Sequence, residues 1–414
     1  MRILVHDFSG HPFQAELARS LGARGHDVLH VHCTSYQSGK GRFADTPGCR
    51  FDAISLGEAF NRYDLKERLR HELRYAKAFV GRARAFRPDV IISCNDPLMA
   101  KFRFGVWAAA RRVPWVFWLQ DVYSVAMSRE AAKRSKLGTA AGAVFMRMER
   151  WLLKRADAVV AITEDFDGVL DDWGVAPADR TVIENWAPLD EIPVRDRDNP
   201  WRKEHIGDDG FTFLYSGTLG LKHDPDVLYD LAVDQPDAHV VVISEGLGAE
   251  HLAARQAERS VPNLRLLPFQ PWEELPDVLG AADVLLVLLE AEAGGFSVPS
   301  KVLTSLCAGR PILAAVPPEN LAARTIEGNG AGIVVPPGEP KGLRDGAKHL
   351  RGDPELQRRC AAAARAYAEA SFAIGPITDR FLEVIHHAAG ERSANDEGRV
   401  GHRRRGFHRR PSGR

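Results

Sequence analysis

With 414 residues, 45% hydrophobic and 27% charged, the chain has room for two domains with ample cores. A formal net charge of zero argues against a general nucleic-acid binder, and the five cysteines show neither CxxC nor zinc-type spacing, as expected for a reducing cytosol. The start, Met1 to Asp7, turns polar too soon for a signal peptide, and no stretch reaches the roughly 20 apolar residues of a membrane span.

From the amino end, Ile3–Val5 and Val28–His32 read as strands. Between them Phe13, Leu17 and Leu21 recur at four-residue spacing, the stripe of an amphipathic helix. Strands continue at Val90–Ser93, Trp115–Leu119 and Ala158–Ile162. The run Glu191–Pro200 is charged, proline-bounded and without periodicity, and reads as a linker. The rhythm then repeats at Phe211–Tyr215, His239–Ile243, Leu264–Leu267, Val284–Leu288, Ile312–Ala315 and Gly332–Val335. The expected fold is α/β, with two doubly wound, Rossmann-like domains over 1–190 and 201–371, joined by the linker 191–200. A further helix is expected over 372–390. Residues 391–414 are Arg-, Gly- and Ser-rich and read as a disordered basic tail, because they cannot bury enough to fold.

The second half places glycine turns after successive strands. Gly217-Thr218-Leu219-Gly220-Leu221-Lys222 follows one, and Ser244-Glu245-Gly246 the next. After Val284–Leu288 comes Gly294-Gly295-Phe296-Ser297-Val298-Pro299-Ser300-Lys301, with a helix predicted from near Pro299 to Gly309. Ser297, Ser300, Lys301 and the first-turn amides would form a donor-rich cup where an open α/β sheet binds phosphate; the alternative is a capped helix with a solvated lysine. Neither GxxxxGK[ST] nor GxGxxG is present. Asp-x-Asp strings at Asp165, Asp196 and Asp224 sit at helix starts and in the linker, and read as caps and solvated charge rather than metal ligands.

These segments, with Asn263–Phe269 and Ala308-Gly309-Arg310-Pro311, resemble the donor half of glycosyltransferase family 4, which has the GT-B fold. In the first half, Leu17–Val28 resembles that family's opening and Val182-Ile183-Glu184-Asn185-Trp186 its end, so the likeness spans roughly 1–388. It implies two domains facing across a cleft, with the 372–390 helix crossing back to the first. It implies donor contacts from Gly217, Thr218, Lys222, Ser244, Glu245, Gly246, Ser297, Val298, Ser300, Lys301 and Thr304. Lys222 and Lys301 would stabilise the departing diphosphate in place of a metal, and no cofactor is expected beyond the nucleotide-sugar co-substrate. Two departures stand out. Many members carry Arg where this chain has Thr218, and a Glu-x7-Glu pair where it has Phe296 and Thr304. The pattern resembles a branch that builds bacterial capsule, O-antigen and exopolysaccharide units, including amino-deoxy-sugar transferases, and it implies retention of anomeric configuration.

On the acceptor side, Asp121 follows the strand Trp115–Leu119 at once and is expected to steer or deprotonate an acceptor hydroxyl; the alternative is a loop acid capping Ser124 onward. Gly10 and His11 follow the first strand and would approach the acceptor or the donor diphosphate, whereas Asn95-Asp96-Pro97 reads as a turn. Two basic amphipathic stretches, 63–87 and 129–155, read either as helices on an anionic bilayer or as helices packed in the core. The membrane reading implies a lipid-linked sugar acceptor and a cytoplasmic protein peripheral to the inner face of the cell membrane. A nucleotide-sugar 2-epimerase and a non-catalytic donor-binding subunit are the rival functions.

Overall fold

The structure is a computed structural model that describes residues 1–35, 41–57, 65–94, 96–134, 136–220 and 223–404. In chain order the first domain runs β1 (Arg2–Asp7), α1 (Pro12–Ala23), β2 (Asp27–Cys33), β3 (Cys49–Ile54), α2 (Leu65–Phe86), β4 (Val90–Cys94), α3 (Leu98–Arg111), β5 (Trp115–Leu119), α4 (Tyr123–Arg134), α5 (Lys136–Arg155), β6 (Ala158–Ala161), α6 (Asp167–Trp173) and β7 (Arg180–Val182). The second runs α7 (Pro200–His205), β8 (Phe211–Ser216), α8 (Asp226–Asp234), β9 (Ala238–Ile243), α9 (Leu247–Glu258), β10 (Leu264–Leu267), α10 (Leu275–Gly280), β11 (Val284–Leu288), α11 (Lys301–Ala308), β12 (Ile312–Ala315), α12 (Leu321–Gly328), β13 (Gly332–Val335), α13 (Pro340–Gly352), α14 (Pro354–Ser371) and α15 (Ile374–Arg404).

Both sheets are parallel and doubly wound, in the orders β3-β2-β1-β4-β5-β6-β7 and β10-β9-β8-β11-β12-β13. The order reverses between β1 and β4 in one sheet and between β8 and β11 in the other, so a crevice opens at the carboxyl ends of those pairs. The central strands are apolar because helices cover both faces: all five residues of β4, of β5 and of β11 are buried. Edge strands β3 and β7 escape the sequence reading. Cys49-Arg50-Phe51-Asp52-Ala53-Ile54 interleaves charge with apolar residues, and β7 has only three residues.

Helix α15 crosses back onto the first sheet. Phe381 packs 4.6 Å from Trp118, Thr378 Oγ1 donates to Ser20 Oγ at 2.8 Å, and Arg24 bonds both the Gly375 carbonyl and Asp379. The helix runs on to Arg404, past Gly390, where the sequence reading ended the fold. No proline falls between Pro376 and Pro411 to stop it. Residues 405–414 lie outside the described residues.

Of the two basic stretches, α2 turns Tyr75, Phe79, Ala83 and Phe86 into the core. On α5, Leu152 and Leu153 are buried and Phe145 and Met148 are partly so, while Val144, Met146 and Trp151 face outward. The two faces separate in a stability test. Leu152→Ala is expected to lower unfolding free energy by about 2–5 kcal/mol, and Val144→Ala to stay within about 0.5 kcal/mol, both read from urea titrations.

Candidate active site

The second domain's part of the site is built on the end of β8. Tyr215 is the penultimate residue of that strand and is buried; its hydroxyl donates to the Thr218 carbonyl at 3.0 Å and accepts from Lys301 Nζ at 2.7 Å. The ammonium also lies 4.6 Å from the Tyr215 ring centroid, so the lysine is held by both the edge and the face of one aromatic residue. Burial raises the Tyr215 pKa, which keeps the hydroxyl protonated. Lys301 opens α11 and passes over Gly217. A Cβ there would stand 2.9 Å from Lys301 Cε, and φ is +140°, so only glycine fits.

His223 joins this group. Its Nδ1 accepts from the Gly220 amide at 3.1 Å, which places the ring proton on Nε2, and Nε2 lies 3.4 Å from Lys301 Nζ. Lys301 Nζ and His223 Nε2–H are then neighbouring donors, a pair suited to an anionic acceptor. Lys222, the residue before His223 and one of the predicted catalytic pair, lies outside the described residues.

A cleft of about 740 Å³ runs between the domains, and the structure brings His11, Asp121, Gly217, Thr218, Ser297, Val298, Ser300, Lys301 and Thr304 to its wall. Four predicted residues are not in that wall. Ser244 Oγ accepts from the Leu219 amide at 2.9 Å, and two residues after Gly246 the Gly248 amide donates to the Leu219 carbonyl at 3.0 Å. Ser244, Glu245 and Gly246 thus form the turn that braces the Gly217–Gly220 loop from behind. Gly10, at φ +76° and packed under Phe43, turns the chain so that His11 enters the cleft.

In the first domain, the Ser124 amide at the start of α4 donates to Glu149 Oε2 at 2.8 Å, so that amide is capped from α5. Burial raises the pKa of Glu149. Gln120 and Asn185 join by reciprocal amide hydrogen bonds, one of 3.0 Å. Asp96 points into the domain interior, beside His6 and Lys101; Asn95 lies outside the described residues. Phe296, at the first position of the family's Glu-x7-Glu, accepts the Val122 amide at 3.3 Å and lies under the Arg129 guanidinium, tying the donor loop to the first domain. Thr304, at the second, donates to the Lys301 carbonyl at 3.1 Å.

Sequence reasoning missed Tyr215, His223 and two tryptophans in the cleft wall. Trp186 Nε1 donates to Glu16 at 2.6 Å; Trp272 Nε1 donates to Glu191 at 2.7 Å, and Arg19 closes on Glu191 at 2.5 Å. His223 was signalled by standing next to Lys222, whereas Tyr215 is hidden in an apolar strand. Among the described residues no group of three or more His, Cys, Asp or Glu is placed to hold a metal ion. Asp165 pairs with Arg324, and Asp226 with Arg255 and His251. All five cysteines are buried thiols.

Two family models match the chain, "Glycosyl transferase 4-like domain" over residues 11–186 and "Glycosyl transferases group 1" over 196–367, and they meet at the linker. The chain belongs to the GT-B glycosyltransferases. "Probable glycosyltransferase WbjE" of Pseudomonas aeruginosa is 27% identical over 63% of the chain and 66% of its own length. A candidate colanic acid biosynthesis glycosyl transferase, WcaI of Escherichia coli strain K12, is 23% identical over 55% and 57%. The matches thus span about three fifths of these relatives' lengths. Among solved structures, sucrose-phosphate synthase of Thermosynechococcus elongatus has a TM-score of 0.72 at 15% identity, covering 93% of this chain and 98% of that one. Anabaena HepE with UDP-glucose has 0.68 at 18%, covering 93% and 99%. Both share the fold.

Glu16 gives the site a titration. Burial lifts its carboxyl pKa to about 7 against the Trp186 hydrogen bond and the charge of Arg19. The folded protein holds this proton more tightly than the unfolded chain, so the contribution to stability is fullest below the unfolded pKa and is lost as pH rises through about 7. Glu16→Gln keeps an acceptor for Trp186 and has no proton to lose. Calorimetric melts are expected to show it more stable than the parent at about pH 8 and little changed at about pH 5.

Proposed function

We propose that the protein transfers a sugar from a UDP-linked donor to a hydroxyl of a lipid-linked glycan in surface-polysaccharide assembly, with retention and without a metal ion. The observation that carries this reading is the convergence of Lys301 and His223 beside the Gly217 loop, at the end of a central strand and in the wall of the interdomain cleft. Breaking a sugar–diphosphate bond builds negative charge on the leaving oxygen, and preorganised N–H donors there stabilise that charge as it forms. The UDP-glucose complex of Anabaena HepE supports the choice of UDP, and the name of the E. coli relative supports polysaccharide assembly.

A panel of nucleotide sugars, followed by nucleoside diphosphate release with and without membrane extract, tests the reading and separates it from a 2-epimerase, which turns over donor alone. Lys301→Ala is expected to lower turnover about a hundredfold in a folded protein, and activity is expected to survive EDTA. Strict dependence on magnesium or manganese would count against diphosphate stabilisation by protein cations.

The lipid-linked acceptor is supported by the outward face of α5. Val144, Met146 and Trp151 alternate there with Arg147, Lys154 and Arg155, and Trp151 packs 5.3 Å from Phe102 on α3. Apolar side chains with adjoining cations suit an anionic bilayer surface. Among the described residues no helix is long and apolar enough to cross a membrane. Replacing Val144, Met146 and Lys154 with Ser, Ser and Glu is expected to abolish low-salt binding to phosphatidylglycerol liposomes with an unchanged melt. A parent protein that ignores such liposomes would leave a soluble acceptor as the better reading.

A further inference from the structure

Gln120 follows β5 and Asn185 follows β7, and both stand in the cleft wall with Asp121. Asn185 also lines a small cavity with Pro299, Ser300 and Leu303, so the pair sits where the two domains meet. Gln120 Nε2 donates to Asn185 Oδ1 at 3.0 Å, and Asn185 Nδ2 donates to Gln120 Oε1. Gln120 is only 7% exposed and Asn185 is half-buried. Among the described residues neither carboxamide bonds any other group. A primary amide carries two N–H donors and two acceptor lone pairs. The reciprocal ring uses one of each, so one N–H and one lone pair stay open on either amide. Each open N–H stands next to the other amide's open lone pair, so an edge of the ring offers a donor and an acceptor side by side. Exchanging oxygen and nitrogen on both amides leaves that edge the same, so the pattern does not depend on how the amides are turned.

We propose that Gln120 and Asn185 are specificity-determining residues whose amide edge binds a vicinal diol of a sugar held in the cleft. This rests on the sugar transfer proposed above. Two neighbouring hydroxyls in gauche relation on a pyranose are spaced much as Nε2 and Oδ1 are here, so one accepts from the open N–H while the other donates to the open lone pair. Neither amide carries a charge, so the edge suits hydroxyls rather than the diphosphate. A sugar lacking one of the two hydroxyls would displace water from a nearly buried amide and return no partner, and a site of that kind discriminates strongly. The diol belongs to the transferred sugar or to the acceptor's sugar, the two that meet in such a cleft, and the measurements below tell them apart.

The test uses the full chain, as parent, Gln120→Met and Asn185→Leu. Each is titrated by calorimetry with UDP and with the UDP-sugar that the panel selects, and assayed against increasing membrane extract. Gln120→Met, close in shape to the parent residue, is expected to leave UDP affinity near the parent value. It is expected either to weaken UDP-sugar binding about 10- to 100-fold, which places the diol on the transferred sugar, or to raise by that factor the extract needed for half-maximal rate, which places it on the acceptor. Should Gln120→Met not fold, Asn185→Leu decides by the same measurements. Monodeoxy forms of the sugar so identified, offered as UDP-sugars or as octyl glycosides, then read the pairing itself. The parent should discriminate against loss of one hydroxyl and the variant far less, a coupling that a merely structural residue does not show. Equal discrimination by parent and variant overturns the proposal, and so do parent-like values throughout. A fall in UDP affinity in step with that of the UDP-sugar overturns it too, because the pair would then only brace the cleft. A parent that releases no UDP from any donor overturns the transfer reading and the role of the pair with it.

Discussion

A parallel strand covered by helices on both faces can present polar chemistry only where it stops, and this constraint arranges the whole molecule. The buried residues of β5 and β11 have no freedom to carry function. The polar residues of the cleft wall therefore come after the strands, Gln120 and Asp121 after one and the loop leading to Lys301 after the other. Tyr215 is the exception that proves useful. It lies inside β8 but close enough to its end for the hydroxyl to emerge and hold a lysine. The same constraint explains why α11 begins at Lys301: the first turn of a helix facing the crevice has amides to offer, and a cation there adds to them.

Two such crevices make one site only if the domains are held mouth to mouth. Several ties do this at different heights. Arg324 grips Asp165 through both carboxylate oxygens at 3.0 Å, and the Val122 amide reaches the Phe296 carbonyl. Arg129 Nη1 donates to the Glu292 carbonyl at 2.8 Å, and Trp272 of the second domain bonds Glu191 at the linker. Phe296 belongs to this closure as much as to the site. A glutamate at that position would bring a charge beneath the Arg129 guanidinium, whereas phenylalanine brings an aromatic face, so the departure from the family pattern has a packing consequence.

The sheets were legible because their central strands are unbroken apolar runs, and Lys301 because proline, serine and lysine follow a glycine break. What the sequence could not show was support from behind. Ser244 reads as a ligand contact because a serine at a strand end suits that task; that it also braces the Gly217 loop depends on Leu219, many residues away, presenting its amide to the Ser244 hydroxyl. Glu149 caps α4 from α5 for the same reason: a cap from a distant helix leaves no local pattern. Val144 and Leu152 are both apolar residues of one helix, and the phase that sends one out and the other in depends on where α3 and β5 lie.

Strand β1 shows how position alone divides one chemistry into two tasks. His6 and Asp7 are neighbours, so their side chains leave opposite faces of the sheet. His6 is fully buried, with Nδ1 3.1 Å from Asp96 and Nε2 3.0 Å from the Tyr75 hydroxyl, and Asp96 is further compensated by Lys101 at 3.6 Å. That pair is sealed under Phe79 and Phe104, and a sealed pair can only hold structure together. Asp7 is buried to the same degree but is matched to a histidine from the turn beyond the strand, which carries its charge to the edge of the cleft. A buried carboxylate is tolerated where its partners satisfy it, and here the satisfying partner is also the one that meets solvent. The first pair fixes the interior of the first domain, and the second delivers an ionised acid's influence to the cleft wall facing Lys301.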